Sequence, residues 1–349
     1  MNEKTTGAII NLTNNVCECT QKKGTVFMKG WLFTKTHDPL VLIEKPDPVA
    51  GPKQVVVDIK ASGLCHSDVS AMEHESWMGL IRGAPLLLGH ECAGVVESVG
   101  EEVTSVKPGD RVGVYLFSDR AANESIGYTR DGGYATKILI EESQCVHMPD
   151  EVTFEQGAAA TDAGQTSYHA IFTVGGAKAG MKVGIVGIGG LGQFALGMAL
   201  ARGCDCYAVD VNPEARELAK EMGCEHVYEN VIDLKEVAPE VIVDYAGFST
   251  TTSDAIKAVA VGGTVVLVGM AKDDVLIKDA TALDGLIIKE VQLKGSMGGL
   301  PSDIEGVYDI FKTGRFNPML STIPFEEIDK GLEMLKRGEV KGRLIAVQD

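Results

Sequence analysis

Three residues of this chain have types that do chemistry together: Cys65, His90 and Asp162. They sit in the frames Gly63-Leu-Cys-His-Ser-Asp68, Gly89-His-Glu-Cys-Ala-Gly94 and Thr161-Asp-Ala-Gly164. A thiolate, an imidazole and a carboxylate can hold Zn²⁺ on three sides and leave its fourth position open, as a catalytic rather than a structural zinc requires. Taken singly, each has an ordinary alternative. Cys65 could be a buried thiol, His90 a satisfied core histidine, and Asp162 the cap of a helix starting near Ala163. Further on, Gly187-Ile-Gly-Gly-Leu-Gly192 is a glycine turn of the kind that receives a dinucleotide. An oxygen-polarising metal together with a hydride carrier means alcohol–carbonyl redox chemistry.

Two kinds of element must position these groups. From Trp31 to about Pro149 the pattern is short strands and turns. Met28–Phe33, Val55–Lys60 and Gly94–Val99 read as strands, and Lys107-Pro-Gly-Asp-Arg-Val112 as a turn entering another. This half predicts a partly open β-barrel. From about Gly180 strands alternate with helices. Lys182–Val186, Cys206–Asp210, Val241–Asp244, Thr264–Val268 and Val291–Lys294 read as strands, and Leu191–Arg202 and Pro213–Met222 as helices, the second stopped by Gly223. Continuous apolar strands in βαβ order predict a parallel, doubly wound sheet. Ile328–Arg337 predicts an amphipathic helix and Gly342–Val347 a closing strand.

In the glycine turn, Gly187 permits the tight bend, Gly189 lets the backbone approach a pyrophosphate, and Gly192 lets helix and strand pack closely. Ile188, Gly190 and Leu191 complete it, and the following helix offers free N–H groups to the phosphates. Asp210 can accept both hydroxyls of the adenosine ribose and would repel a 2′-phosphate, which favours NAD(H) over NADP(H). Arg216 is the counter-argument, since it could receive that phosphate.

The chain has 349 residues, 45% of them hydrophobic, with 41 glycines and a net charge of −17. That fits a globular α/β protein. The charge repels phosphate backbones and anionic membranes, so no nucleic-acid or membrane partner is expected. No apolar run is long enough to span a bilayer, and the N-terminus lacks the apolar stretch of a signal peptide. The eight cysteines form no C-x-x-C, and Cys17 and Cys19 read as incidental tail residues. Reduced thiols in a cytoplasmic protein are the expectation.

The metal frames, the Cys-His-Ser-Asp run, Lys-Pro-Gly-Asp-Arg-Val and the glycine turn together resemble the zinc-dependent alcohol dehydrogenases of the medium-chain dehydrogenase/reductase family. The resemblance runs from about residue 28 to 349 and is nearest to bacterial secondary-alcohol dehydrogenases with an Asp ligand. It implies a GroES-like catalytic domain over 28–165 and 310–349, a Rossmann NAD-binding domain over 166–309, an N-terminal extension over 1–27, and a homodimer or homotetramer. Two departures stand out. Most members have Cys where this chain has Asp162, a harder ligand that eases exchange for cobalt or iron. Many members also carry a four-cysteine structural zinc site where Phe117–Gly132 has no cysteine, so one zinc per subunit is expected.

The resemblance also assigns roles. Cys65, His90 and Asp162 hold the metal, with Glu91 behind it as a possible fourth ligand. Ser67 passes the alcohol proton to the cofactor ribose, but the next relay position, a His in many members, is Ser70. Asp68 orients His90, and His66 and Arg343 contact the pyrophosphate, although Arg343 could equally be a solvated charge. Val211 and Val268, Gly269 and Met270 complete the cofactor site. The Glu73–Met78 loop is a cover for the cleft, and Trp77, Leu116 and Met297 are candidate apolar walls or ordinary core residues. The implied activity is interconversion of an alcohol and its ketone, the alcohol secondary and bulky, cyclic or steroid-like if the pocket is roomy. The competing expectations are a metal-free reductase of quinones or activated C=C bonds and a non-catalytic nucleotide-binding relative.

Overall fold

The computed structural model describes residues 27–270 and 274–348. Of the expected N-terminal extension only Phe27 is among them, and Cys17 and Cys19 lie outside the described residues. Contacts divide the chain into two compact units, Met1–Thr161 with Leu320–Asp349, and Asp162–Met319.

The first unit is mainly antiparallel β. Its larger sheet runs Cys145–His147, Arg111–Val114, Cys92–Val99, Gln54–Gly63, Arg343–Val347, Leu320–Pro324, and Lys137–Glu141 also pairs with Gln54–Gly63. Gln54–Gly63, ten residues long, serves three neighbours, and it shifts register against Cys92–Val99 at Val56/Val57 and Ile59/Ala61. Such bulges bend a strand and let a sheet curve toward closure. Alternating apolar residues (Val55, Val57, Ile59, Val96, Val112, Val114) form the core beneath it. The amphipathic helix Ile328–Lys336 buries Ile328, Leu332 and Leu335 in a second cluster with Trp31, Leu64 and Leu344. Trp31 Nε1 donates to the Phe325 carbonyl at 3.0 Å and ties the returning chain to the first strand.

The second unit is a six-stranded, wholly parallel sheet: His226–Tyr228, Asp205–Val209, Lys182–Val186, Val241–Asp244, Thr264–Leu267, Gln292–Gly295. In chain order this is 3-2-1-4-5-6, the doubly wound arrangement whose strand order reverses beside the first strand. Helices Gly192–Ala201, Pro213–Glu221 and Ser249–Ala258 flank it. Gly192–Ala201 is apolar on all sides, and its residues 192–199 are buried. Pro213 is N1 of its helix, and the Asn212 side chain accepts from the Glu214 amide at 2.9 Å, so this helix is capped as its sequence asks.

Asp162 does not cap a helix starting near Ala163. The helical run begins at Phe154, where Thr153 and Gln156 form a capping box (Gln156 N to Thr153 Oγ1 3.3 Å, Thr153 N to Gln156 Oε1 3.1 Å). Asp162 lies inside the run, in a π-helical turn, Ala160–Gly164, between Phe154–Ala159 and Gln165–Tyr168. Single π turns inside α-helices recur at functional sites, because the extra residue re-aims one side chain.

Among the described residues no helix is long and apolar enough to cross a membrane. Cys65, Cys92, Cys145, Cys204, Cys206 and Cys224 are free thiols.

Candidate active site

Three neighbouring strand ends of the first unit bring the chemistry together. Gln54–Gly63 ends two residues before Cys65, and Cys92–Val99 begins just after His90 and Glu91. The Gly63 amide donates to the Glu91 carbonyl at 2.7 Å, and the next amide, Leu64, donates to the Leu344 carbonyl at 2.9 Å, which brings Arg343 alongside. Gly63 is required here, because a Cβ at this position would overlap the Glu91 carboxyl group. Cys65 is the N-cap of the short helix His66–Glu73, and the Asp68 amide donates back to its carbonyl at 3.1 Å.

One ligand atom each from Cys65, His90 and Asp162 lie within 4.8 Å of one another. His90 is 3% exposed, while Cys65 and Asp162 are partly buried. His90 Nδ1 faces Asp68 Oδ1 at 3.4 Å and Nε2 faces Ser67 Oγ at 3.3 Å. Asp68 is 1% exposed, and its other oxygen accepts from the Tyr134 hydroxyl at 2.8 Å. The Asp68 carboxylate thus faces one imidazole nitrogen at ion-pair rather than hydrogen-bond distance, on the side opposite the nitrogen that faces Ser67. Thr166 Oγ1 donates to Asp162 Oδ1 at 3.5 Å. The donor set fits zinc: one sulfur, one nitrogen and one oxygen in a group, with a coordination position left over. Cys92, next to this frame, is not in the group. It is fully buried in the core and does not converge with the three donors, and burial pushes its thiol up to about 12.

Glu91 is not in this group of donors. It is fully buried, and both its oxygens are engaged by Arg343, whose Nε donates to them at 2.9 and 3.2 Å while Nη2 makes a third, short contact. Arg343 is 5% exposed, so it is not a solvated charge. The Arg343 guanidinium and desolvation hold the His66 pKa below its ordinary value, desolvation being the larger cause.

The structure also places the proposed cover and walls. Residues 73–78 form the end of the helix His66–Glu73 and the tight helical turn Glu75–Gly79, with Glu73 paired to Lys336 at 2.7 Å. Trp77 and Leu116 pack against the two cores of the first unit, as ordinary core residues do, and Met297 is exposed. Tyr128 is a site residue that the sequence reading missed. Its ring lies 5.1 Å from the His90 ring, tilted by 38°. The one signal was an aromatic residue inside the glycine-rich stretch Gly127–Gly133.

In the second unit the glycine turn joins Lys182–Val186 to Gly192–Ala201. Gly187 has φ +86° and its amide donates to the Val209 carbonyl at 2.8 Å. A methyl on Gly192 would overlap the Gly187 carbonyl oxygen, whereas one on Gly189 would meet nothing within 4 Å. The turn is thus closed on its protein side and open at Gly189, where a ligand needs room. Ile188 is buried, Gly190 is exposed, and Leu191 is the N-cap residue of the helix. Asp210 Oδ2 accepts from the Ile188 amide at 2.7 Å and Oδ1 from the Asn212 amide at 2.8 Å. Arg216 Nη1 donates to the Asp210 and Val211 carbonyls at 2.8 and 2.9 Å, and Nη2 pairs with Glu229 at 3.3 Å. Val211 and Met270 are exposed, and the Val268 and Gly269 amides donate to the Asp244 carbonyl at 3.0 and 3.1 Å.

These two constructions, a three-donor metal group of Cys65, His90 and Asp162 and a glycine cradle on a parallel sheet, define a metal-assisted, nucleotide-dependent oxidoreductase. The comparisons agree. Residues 51–150 match the alcohol dehydrogenase GroES-like domain and residues 190–313 the zinc-binding dehydrogenase domain. An alcohol dehydrogenase of Geobacillus stearothermophilus is 32% identical over 344 residues, 92% of this chain and all of that one. The crystal structure of an alcohol dehydrogenase from Aeropyrum pernix superposes with a TM-score of 0.78 at 25% identity, covering 92% of this chain and all of that one. Acetophenone reductase from Geotrichum candidum NBRC 4597 in complex with NAD gives a TM-score of 0.77 at 27% identity, over 92% of this chain and 97% of that one. The chain belongs to the zinc-type alcohol dehydrogenases of the medium-chain dehydrogenase/reductase family, oxidoreductases that interconvert alcohols and carbonyls with zinc and a nicotinamide cofactor.

Proposed function

We propose that this protein is an NAD(H)-dependent dehydrogenase of secondary alcohols, with zinc held by Cys65, His90 and Asp162. The observation that carries the proposal is the convergence of those three ligand atoms within 4.8 Å, with buried Asp68 behind the imidazole. Zinc bound there supplies Lewis acidity to the substrate oxygen, and the nicotinamide carries the hydride. The protein's part is orientation and proton transfer. Tyr134 holds Asp68, Asp68 holds His90, and the Ser67 hydroxyl stands beside His90 where it can take the alcohol proton. The paired Glu91 and Arg343 keep a second carboxylate next to the site without adding a net charge to it.

Two arguments favour NAD(H). The Asp210 carboxylate is pinned by two backbone amides at the end of the second strand, where it presents a negative charge to any 2′-phosphate. Arg216, the cation that would welcome that phosphate, is spent on two carbonyls and Glu229. A ketone substrate flanked by carbon on both sides has support from the relative named as an acetophenone reductase bound to NAD. A homo-oligomer joined through the sheet edge Gln292–Gly295 is part of the same proposal. That edge strand has three of its four residues exposed, and Leu283, Ile287, Ile288 and Leu293 lie exposed in and just before it. The domain limits 28–165 with 310–349 and 166–309 are proposed as functional units, one for the metal and one for the dinucleotide.

The test is a ketone screen with NADH and NADPH in parallel and metal analysis of the same sample. About one zinc per chain and preference for NADH are expected. Asp162→Ala should lose zinc and at least about a hundredfold in ketone reduction while NADH binding persists. Normal turnover by that variant would remove Asp162 from the ligand set. Turnover by metal-free protein would favour a reductase of another kind.

A further inference from the structure

We infer that Ser167 is a positioning residue, joining the Asp162 carboxylate and the dinucleotide turn in one frame. That role rests on the proposed ligation of zinc by Asp162 and of NAD(H) by the glycine turn, and both of these parts belong to the second unit. Asp162 and Ser167 share one helical run, Asp162 in the π turn Ala160–Gly164 and Ser167 in Gln165–Tyr168 directly after it. Ser167 is fully buried, and its hydroxyl donates to the Leu191 carbonyl at 2.9 Å. Leu191 stands between Gly190 and Gly192 of the turn, and its carbonyl also accepts from the Ala195 amide at 3.0 Å. The hydroxyl therefore grips the point where the turn becomes a helix, at which the first helical N–H groups are left for a pyrophosphate.

A second bond holds the same residue. The Tyr245 hydroxyl donates to the Ser167 carbonyl at 3.3 Å, and the Tyr245 amide donates at 2.8 Å to the carbonyl of Val186, the residue before the turn. A methyl on Gly192 would lie 3.9 Å from Tyr245 Cδ2, so this ring also borders the turn. Turn, strand end and ligand helix are thus pinned at Ser167. The fold itself does not need the hydroxyl. Without it the Leu191 carbonyl keeps the Ala195 amide, and no buried group is orphaned. What would be lost is a restraint on where Asp162 stands relative to the pyrophosphate. Hydride transfer depends on such placement, because a shift of about 1 Å can cost about a hundredfold in rate. A turn ordered by its ligand also leaves less freedom for zinc to remove from a carboxylate fixed to it, so the two bindings reinforce each other.

The experiment compares the parent with Ser167→Ala and with Asp303→Asn, which loosens the same helical run at His169 rather than at the turn. Zinc affinity is measured by competition with a chelator, with and without saturating ADP-ribose, which fills the turn but carries no nicotinamide. In the parent, ADP-ribose should tighten zinc about fivefold, and zinc should tighten ADP-ribose by the same factor. In Ser167→Ala that factor should fall below about twofold, while the thermal midpoint and the affinity of zinc-free protein for ADP-ribose stay near the parent values. Asp303→Asn should lower the midpoint and keep the factor. Single-turnover hydride transfer from NADH to a ketone that the parent reduces, identified by its slowing with deuterium at C4, should fall about tenfold in Ser167→Ala. No tightening in the parent, equal tightening in parent and Ser167→Ala, an equal loss in Asp303→Asn, or a parental hydride-transfer rate in Ser167→Ala overturns the inference. A Ser167→Ala protein that no longer binds ADP-ribose assigns the residue to the fold of the turn and overturns it as well. Zinc retained by Asp162→Ala overturns the ligand assignment and this inference with it. Zinc lost from Asp162→Ala, with the coupling intact in Ser167→Ala, overturns the inference alone.

Discussion

The metal group and the dinucleotide cradle are built from different materials. In the first unit side chains do the work, and each is held by another: Tyr134 on Asp68, Asp68 on His90, Arg343 on Glu91, Arg82 on the loop of Tyr128. In the second unit the backbone does it. Gly187 bends, Gly192 lets the helix close up, Gly189 leaves space, and the one charged side chain in place, Asp210, is bound to amides. A site of stacked side chains is sensitive to lost partners. A site of backbone is sensitive to added atoms.

The largest effect should therefore follow removal of a partner from the first unit. Arg343→Ala leaves the fully buried Glu91 carboxylate without its guanidinium, and breaking a buried pair costs about 3–5 kcal/mol. Urea unfolding should show that loss, and Arg343→Ala with Glu91→Gln should recover much of it. A single-variant loss under about 1 kcal/mol would mean that Glu91 protonates or finds water, and the contrast would weaken. Next comes an added atom in the second unit. Gly192→Ala puts a methyl on the Gly187 carbonyl and should weaken NADH binding by about thirtyfold, roughly 2 kcal/mol, with zinc content unchanged. Gly189→Ala is the finer probe. Its methyl meets no protein atom within 4 Å, so the thermal midpoint should hold while NADH affinity drops about tenfold. A lowered midpoint with normal affinity would mean that the space at Gly189 serves the fold rather than the ligand.

The same contrast explains what the sequence disclosed. Backbone devices leave local signatures. The strands Lys182–Val186 and Val241–Asp244 were legible to the residue, and Pro213 and Gly223 bracket their helix as expected. The metal frames were legible because each ligand sits in its own short motif. The supports were not, because they come from far along the chain. Glu91 and Arg343 are 252 positions apart and meet only when Gln54–Gly63 pairs with strands on both sides. Tyr134 reaches Asp68 by a similar route. The helix around Asp162 was a different failure. Thr153 and Gln156 spell a capping box at its true start, but the run Gly157-Ala-Ala-Ala carries no amphipathic period, since it is buried on all sides. The π turn that aims Asp162 has no sequence signature.

The smallest effect comes from a part of the second unit that is built as the first is. Asp303, 2% exposed, accepts from His169 Nδ1 at 2.7 Å, Thr173 Oγ1 at 2.6 Å and the Leu300 amide at 2.7 Å. Burial by itself would raise its pKa, but these hydrogen bonds outweigh burial and hold it below the ordinary value of 3.8. A carboxyl group that is more acidic folded than unfolded stabilises the fold above its unfolded pKa. That contribution disappears as pH falls through the folded pKa. Asp303→Asn keeps the shape but gives up the charge and should destabilise by about 1 kcal/mol near neutral pH. Measured by urea unfolding, the gap between parent and variant should be flat from pH 8 to about 5 and close below about pH 4. A gap that does not narrow at all as pH falls below about 4 would assign the defect to the misplaced amide rather than to the lost charge, and the second unit would then owe nothing to an ionised side chain at this point.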